Sequence, residues 1–249
     1  MSTDQDWQAW GERDPYYGVL THEQFRRDRL TPESLQEFFR TGREELAQLL
    51  AACRVSLGEF STQRTLDFGC GVGRMLIPLA EVSQQCVGVD ISDAMRAEAA
   101  VNCTRFGRAN VRLVKELGEL GPAAGGFTFI HSYIVLQHID PARGLGIIRD
   151  LLARLDAGGC AALHVLFARR KYPDSFGRQP PLRRLARQLG RPLEQFVRRL
   201  RRGEPPMQMN LYDMNRVLFV AQQQGIRSAG LHFTDHAGNL GATVFLRRG

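Results

Sequence analysis

The chain has 249 residues, 43% of them apolar, which is enough for one large α/β domain with an extension or for two small domains. No apolar run is long enough to span a membrane, the N-terminal MSTDQDWQAWGERD is too polar for a signal peptide, and the five cysteines form no C-x-x-C pair. The net charge of +7 arises from residues 167–203, where twelve Lys or Arg accompany only two acids. We therefore expect a cytoplasmic protein with free thiols, no zinc motif and one locally basic surface.

Residues 1–60 are predicted to form a helical N-terminal cap or arm. The aromatic stretch DPYYGVL is followed by 32-PESLQEFFRTGREELAQLLAAC-53, which has a helical pattern of apolar residues. Two interpretations of the aromatic side chains remain open, because they can cover a ligand as a lid or anchor the arm. The residues assigned to this lid or substrate-facing surface are Tyr16, Tyr17 and Arg43.

From Thr65 onward, β-branched runs alternate with helical patterns, which predicts βαβ units and a parallel sheet. Ser92 or Asp93 is expected to cap the second of these helices, and Asp156-Ala-Gly-Gly to end the third. A further helix over 210–225 is predicted with Asn210 as its cap. The predicted strands are TLDF, QQCVGVD, NVRLV, FTFIHSYIV, CAALHVLF, IRSAGLHFT and GATVFLR, and the helices between the first five are 74–82, 92–106 and 141–155.

The stretch 65-TLDFGCGVGRML-76 places three glycines directly behind a strand and before a helix. Such a turn presents bare N–H groups and no Cβ atoms, and nucleotide-like cofactors commonly bind there. NAD sites use G-x-G-x-x-G, but Arg74 stands where the third glycine would fall. An acid at Asp67, two residues before the first glycine, instead suits a cofactor with a cationic amine, which indicates S-adenosylmethionine (SAM).

The second strand provides an independent indication, because 87-VGVDIS-92 ends in an acid. The carboxylate of Asp90 can accept hydrogen bonds from both ribose hydroxyls. This arrangement occurs in NAD and SAM sites alike. Together with the glycine turn it predicts a bound nucleoside cofactor.

These motifs resemble those of the class I SAM-dependent methyltransferases, and the resemblance runs from about Gln63 to the C-terminus. TLDFGCGVGR is similar to the first motif of that family, VGVDIS to the second, and FTFIHSYIVLQHI with LLARLDAGG to the region around strands four and five. The resemblance implies a Rossmann-like, doubly wound, mostly parallel seven-stranded sheet whose last strand is antiparallel. The N-terminal helices and a helical insertion over 168–206 would be added to this 61–249 domain.

By the same resemblance, the cofactor is SAM and its product S-adenosylhomocysteine (SAH). The glycines and Asp67 would line the methionine and ribose end, Asp90 would hold the ribose, and Ile91 and Met95 would flank the adenine. The family often has an aspartate where Leu117 stands. The full set of implied cofactor residues is Asp67, Gly69, Gly71, Gly73, Asp90, Ile91, Met95, Glu116, Leu117 and Ser132.

A sulfonium methyl group is already activated, so a base is needed only when the acceptor is poorly acidic. His138 lies just past the fourth strand, at the rim where open α/β sheets bind ligands, and we assign it as a base or orienting group. The alternative is a histidine satisfied at a helix start. His131 and His164 lie in apolar strands and are interpreted as buried residues. Turn chemistry accounts for the histidines in 231-LHFTDHAGNLG-241, so no metal site is predicted.

The expected partner is a small-molecule or glycan-linked acceptor, most simply an anionic one that matches the basic segment. DPYYGVLT and PMQMNLYDMNRVLF also resemble segments of bacterial methyltransferases of glycan and natural-product pathways. Base methylation is disfavoured, because HSYI replaces an N/D-P-P-Y loop and no Pro-Cys pair occurs. RNA methylation, contact with an anionic membrane, a non-catalytic binding role and a merely solvated basic segment remain alternatives. The oligomeric state is not predicted.

Overall fold

The computed structural model describes residues 3–122, 126–178 and 204–249. Within these ranges seven strands form one sheet in the order β3-β2-β1-β4-β5-β7-β6. β7 is antiparallel to both of its neighbours, and the other paired strands are parallel. The Rossmann-like prediction with an antiparallel last strand is confirmed. The strands are β1 Arg64–Phe68, β2 Gln85–Val89, β3 Val111–Val114, β4 Phe127–Ser132, β5 Leu155–Arg169, β6 Ile226–His236 and β7 Asn239–Arg248.

Helices cover both faces of the sheet, as a doubly wound fold requires. None of the helices in the described ranges is long and apolar enough to cross a membrane. The α-helices are α1 Thr3–Arg13, α2 Pro15–Val19, α3 Pro32–Leu57, α4 Leu76–Glu81, α5 Asp93–Arg105, α6 Pro141–Ala153 and α7 Met214–Gln223. Short 3-10 helices occur at Glu23–Phe25, Leu117–Leu120, Leu136–His138 and Pro173–Ser175.

Two of the helix starts follow from side-chain caps written in the sequence. The Ser92 hydroxyl accepts a hydrogen bond from the backbone N–H of Met95 at 3.2 Å, so Ser92 and not Asp93 caps α5. Asp140 accepts from the N–H of Ala142 at 2.9 Å, and Pro141 occupies the first turn of α6. These local signals set the helices that follow β2 and β4.

The predicted start of α7 is wrong by three residues, because Asp213 rather than Asn210 caps this helix. The Asp213 carboxylate accepts from the N–H of Asn215 at 3.0 Å. Asn210 instead donates its side-chain amide to the carbonyl of Ile139 at 3.1 Å. Asn210, which the local sequence predicted to be the helix cap, therefore makes a long-range hydrogen bond instead.

The predicted role of Asp156-Ala-Gly-Gly as a helix stop is also wrong. α6 ends at Ala153, and the stretch opens β5 instead. The Asp156 carboxylate accepts from the N–H of Gly126 at 2.6 Å, which ties the stretch to the start of β4. The helix predicted over 74–82 begins only at Leu76, because the turn after β1 extends to that residue.

The core has one layer on each face of the sheet. Trp10 and Phe38 of the N-terminal helices pack in the same buried cluster as Phe129 of β4. On the other face, Ile148 of α6 packs in a second cluster with Val244 of β7. Truncation of a buried aromatic side chain to alanine costs about 3–5 kcal/mol, so the N-terminal helices contribute substantially to the folding of the sheet. The helices predicted in the basic segment lie mainly outside the described residues.

Candidate functional site

The glycine turn after β1 has a backbone that other residues approach closely. Gly69, Gly71 and Gly73 all have positive φ, at 75°, 53° and 95°. A Cβ at Gly69 would lie 2.4 Å from the side chain of Val135, and a Cβ at Gly71 would lie 2.6 Å from Cγ2 of Val19. The three glycines are therefore required both by the backbone conformation and, at the first two, by the available space.

Asp90 closes the turn from the end of β2. Its carboxylate accepts from the N–H of Gly71 at 2.8 Å and from the N–H of Ser92 at 2.9 Å. Burial raises the pKa of Asp90 to about 6, although these two N–H groups and Arg96 favour the ionised form. An acidic hydrogen-bond acceptor therefore lies beside the bare backbone, as a ribose site requires.

Asp67 is hydrogen-bonded to the neighbouring strand. Its carboxylate lies 2.8 Å from Nδ1 of His131, and both side chains are buried. The two residues are register partners on β1 and β4, which places their side chains on the same face. The interpretation of His131 as a buried, hydrogen-bonded residue is confirmed. The role of Asp67 toward a cofactor stays a prediction.

The other predicted cofactor residues follow the carboxyl ends of β2, β3 and β4, which lie at one edge of the sheet. Ile91 is half-buried, whereas Met95 is buried in the cluster that contains Trp10. Glu116 and Leu117 begin the 3-10 helix after β3. The Ser132 hydroxyl donates to the carbonyl of Phe68 at 3.0 Å, linking the ends of β4 and β1. These residues follow strands that end at the same edge of the sheet as the glycine turn, and their contacts with SAM stay predictions.

His138 lies at this rim in a neutral form. Its Nδ1 donates to the carbonyl of Gln208 at 2.6 Å, and its ring meets the Trp7 ring edge-on with centroids 4.9 Å apart. Burial lowers the pKa of His138 to about 4, and the backbone carbonyls of Gln208 and Ile134 offset this only in part. With Nδ1 as the donor, Nε2 carries the lone pair and accepts a long, 3.4 Å hydrogen bond from the side-chain amide of Gln137.

The N-terminal arm, defined here as α1 and α2, covers the site. The Tyr16 hydroxyl donates to Glu98 at 2.6 Å and is also bonded to Asn102 of α5. Burial, with Glu98, raises the pKa of Tyr16 to about 12. Tyr17 is half-buried under the Arg26 guanidinium, 3.6 Å from its ring centroid. Tyr16 is therefore an anchor of the arm.

Arg43 is not brought to the site. Its guanidinium pairs with Glu81 at 2.7 Å, at the end of α4 that is remote from the glycine turn. The assignment of Arg43 to a substrate-facing surface is therefore corrected, because the side chain lies on the outer face of α3 and is half-exposed.

The 204–213 segment packs against the 3-10 helix that carries His138, and the sequence did not predict this contact. The Tyr212 hydroxyl donates to the carbonyl of Leu136 at 2.8 Å, and Gly144 leaves the space that this ring occupies. The N–H of Asn210 donates to the carbonyl of Gln137 at 2.7 Å. These bonds fix the irregular segment whose Gln208 carbonyl orients His138. The sequence indicated this segment only through the resemblance of PMQMNLYDMNRVLF to segments of bacterial methyltransferases.

The family model described as a methyltransferase domain matches residues 35–200. The chain belongs to this methyltransferase family. Two solved structures share its fold over 98% of both chains at 17% identity. They are magnesium protoporphyrin IX methyltransferase from Synechocystis PCC 6803 with bound SAM, at a TM-score of 0.56, and the N-methyltransferase NodS from Bradyrhizobium japonicum WM9 with bound SAH, at 0.55. The predicted class I SAM-dependent methyltransferase is confirmed, and its cofactor is SAM.

Curated relatives match shorter segments. The magnesium-protoporphyrin O-methyltransferase of Synechocystis is 28% identical over 125 residues, which cover 49% of this chain and 53% of the relative. Aklanonic acid methyltransferase DauC of Streptomyces is 38% identical over 102 residues, covering 39% and 45%. The 23S rRNA (uracil-C5)-methyltransferase RlmD of Aeromonas hydrophila is 36% identical over 80 residues, covering 32% and 18%. The chain thus spans about half or less of the curated relatives it matches.

Proposed function

We propose that the chain transfers a methyl group to an oxygen atom of a small, anionic acceptor that binds between the N-terminal arm and the 204–213 segment. Residues 1–60 would act as the cap of this site. The observation that carries the proposal is His138, a neutral imidazole at the rim of the glycine turn whose Nε2 carries a lone pair and has only a long, 3.4 Å contact with the side-chain amide of Gln137. The names of two relatives, an O-methyltransferase and a methyltransferase of an acid, support an acidic oxygen as the acceptor.

The residues of the glycine turn and β2 fit SAM, which when bound supplies a methyl group activated by a sulfonium. Gly71 offers a bare backbone, and Asp90 would accept the ribose hydroxyls. Val19 lies over the turn and Trp7 packs against His138, so the arm would exclude water from the reacting groups.

The low pKa of His138 bears on the acceptor. A base with a pKa of about 4 takes up protons efficiently only from acidic groups, such as a carboxylic acid or an acidic phenol. An acceptor that is already ionised needs no base, and Nε2, which carries only a lone pair, would donate no hydrogen bond to it. Both cases favour an acidic acceptor over a sugar hydroxyl.

Methyl incorporation from SAM labelled in its methyl group tests the proposal. The acceptor panel contains small carboxylic acids, phenols, magnesium-protoporphyrin, a nucleotide-linked sugar, a primary amine and ribosomal RNA. We expect incorporation into an acidic oxygen, with a methyl ester or ether as product. Incorporation only into the amine or RNA would overturn the proposal. Steep loss of an RNA activity with salt would identify the RNA alternative.

The variant His138→Gln should lower kcat by about 10²-fold on an acceptor that must lose a proton, because Gln keeps the size of the ring but cannot take up a proton. SAH affinity should remain within twofold of the wild type. The exposed His22, changed to Gln, is the matched control and should have no effect. An unchanged kcat in His138→Gln would contradict the assignment of His138 as a base and would indicate a structural role.

A further inference from the structure

Four aromatic side chains form a row along the carboxyl edge of the sheet, which we name the histidine row: His131, Tyr133, His164 and His236. The Tyr133 ring centroid lies 6.3 Å from that of His131 and 5.2 Å from that of His164. His164 in turn lies 5.2 Å from His236. The row therefore runs from Asp67, beside the glycine turn, to the end of β6.

Three ring nitrogens of the row are buried and have no hydrogen-bond partner among the described residues: His131 Nε2, His164 Nδ1 and His236 Nε2. His131 and His164 are themselves almost fully buried. Buried polar atoms are nearly always paired in folded proteins, because an unpaired one costs free energy. Three of them in one row indicate that the row binds a polar group.

The partners of the other nitrogens set what that group can be. Asp67 accepts from Nδ1 of His131, so a neutral His131 presents a lone pair at Nε2. His164 shares a 2.9 Å hydrogen bond with the Thr234 hydroxyl, and burial lowers the pKa of His164 to about 3. When Thr234 donates, Nδ1 of the neutral His164 is an N–H donor. One acceptor and one donor are complementary to a hydroxyl group.

The shape of the row indicates what carries the hydroxyl. His131 and His164 form a buried floor, whereas Tyr133 and His236 are half-buried and form a rim. The two rim rings are inclined at 73° with centroids 6.4 Å apart. Ring faces and edges of this kind pack well against another flat ring.

The sequence also preserves the space that the row needs. A Cβ at position 241 would lie 2.9 Å from Nε2 of His164 and 2.8 Å from the Thr234 hydroxyl, so Gly241 permits their hydrogen bond. Burial, and the nearby Glu45 carboxylate of α3, raise the pKa of Tyr133, so this side chain lies beside α3. The row is therefore held from both the sheet and α3.

We propose that the histidine row is a recognition subsite of the acceptor and binds a hydroxyl group carried on a flat ring. This inference rests on the proposed function and specifies its substrate class. His138 faces the oxygen that is methylated, and the row holds a second oxygen that does not react. An acceptor with two such oxygens is fixed at two points.

Phenol serves as the probe, with anisole as the matched ligand that lacks the donating hydroxyl. Both are titrated into SAH-saturated protein labelled with 15N in its histidine rings. Phenol should shift the ring nitrogens of His131 and His164 at millimolar concentration, whereas anisole should shift neither. Equal shifts from both ligands, or none from phenol, would overturn the inference.

His236→Phe keeps a ring at the rim and removes both ring nitrogens, so the phenol Kd should rise at least fivefold while SAH affinity stays within twofold. His164→Phe should raise it at least tenfold. His232→Phe, on the same strand and exposed, is the control and should bind phenol normally. If His164→Phe does not fold, His236→Phe alone decides, and normal phenol binding in it would refute the subsite. Failure of the wild type to bind SAH would instead refute the proposed function.

Discussion

At the scale of single residues, Asp90 combines two demands. It must remain an acceptor for a cofactor, and without one its carboxylate receives the N–H groups of Gly71 and Ser92. Burial outweighs both contacts and moves its pKa up to about 6. Asp90 therefore takes up a proton near pH 6, a pH at which most proteins stay folded.

Removal of this carboxylate should weaken cofactor binding. Asp90→Ala is expected to lower SAH affinity by about 30- to 150-fold, since hydrogen bonds to a charged group contribute about 2–3 kcal/mol. Asp93→Ala changes an exposed acid three residues along the chain and is the matched control. Isothermal calorimetry measures both. Wild-type affinity in Asp90→Ala would remove Asp90 from the site.

SAH affinity should also depend on pH through Asp90. The free protein holds this pKa at about 6, while the ribose hydroxyls would donate to the ionised form. Binding below pH 6 must therefore release a proton, and affinity should fall by about tenfold per pH unit there and level off above pH 7. Asp90→Asn should bind more weakly at pH 7 but show a flat profile. A slope that persists in Asp90→Asn would assign the titration to another group.

Residues that act through local sequence could be predicted, and those that depend on register could not. VGVDIS places Asp90 at a strand end, and the turn places Gly71, so both were available from the sequence. His131 meets Asp67 only because β1 and β4 pair in one particular register. His138 receives its orienting carbonyl from Gln208, seventy residues later. No local pattern encodes either partner.

At the scale of elements, the N-terminal arm and the glycine turn are fitted to one another. Val19 occupies the space above Gly71, and Tyr16 fixes α2 to α5. The Asn102 amide in the same network donates to the carbonyl of Val72, inside the turn. Movement of the arm is thereby linked to the backbone that would hold SAM.

Gly71→Ala should therefore affect stability as well as binding. The new Cβ meets Val19, and φ of +53° adds about 1–2 kcal/mol of strain for any residue other than glycine. We expect the free energy of unfolding to fall by about 2–4 kcal/mol. Adding Val19→Ala to Gly71→Ala should recover the stability lost through the steric clash, whereas the loss from backbone strain should remain. Chemical denaturation of the four members of this double-mutant cycle measures the coupling, and purely additive effects would show that Val19 does not contact the turn.

The elements themselves were largely predictable, with errors where distant contacts intervene. Strand positions followed from alternating β-branched runs, and Ser92 marked the start of α5. α7 starts late because Asn210 bonds to Ile139, and the stretch after α6 becomes strand because Asp156 bonds to Gly126. Hydrophobic pattern specifies which face is buried, whereas these element ends depend on tertiary hydrogen bonds.

At the scale of the whole molecule, charge is separated along the chain. The basic segment 167–203 begins at the end of β5. Its described part, 167–178, and the residues directly after it, 204–206, lie at the carboxyl edge of the sheet. Open α/β sheets bind their ligands at the carboxyl ends of the strands. The basic segment therefore starts and ends beside the region where we propose that the acceptor binds. A local excess of positive charge raises the concentration of anions near the site, over a range set by a screening length of about 8 Å at physiological salt.

Reversal of four of these charges should weaken acceptor binding without affecting the cofactor. The acceptor KM is expected to rise by about tenfold and to lose most of its dependence on salt, because the attraction that salt screens has been removed. SAH affinity should stay within twofold. A control that reverses two exposed charges on the α6 and α7 surface should leave KM unchanged. Unchanged KM in the fourfold variant would make the segment a solvated surface, and parallel loss of SAH binding would place it at the cofactor instead. The fourfold variant changes Arg198, Arg199, Arg201 and Arg202 to Glu, and the control changes Arg149 and Arg216 to Glu.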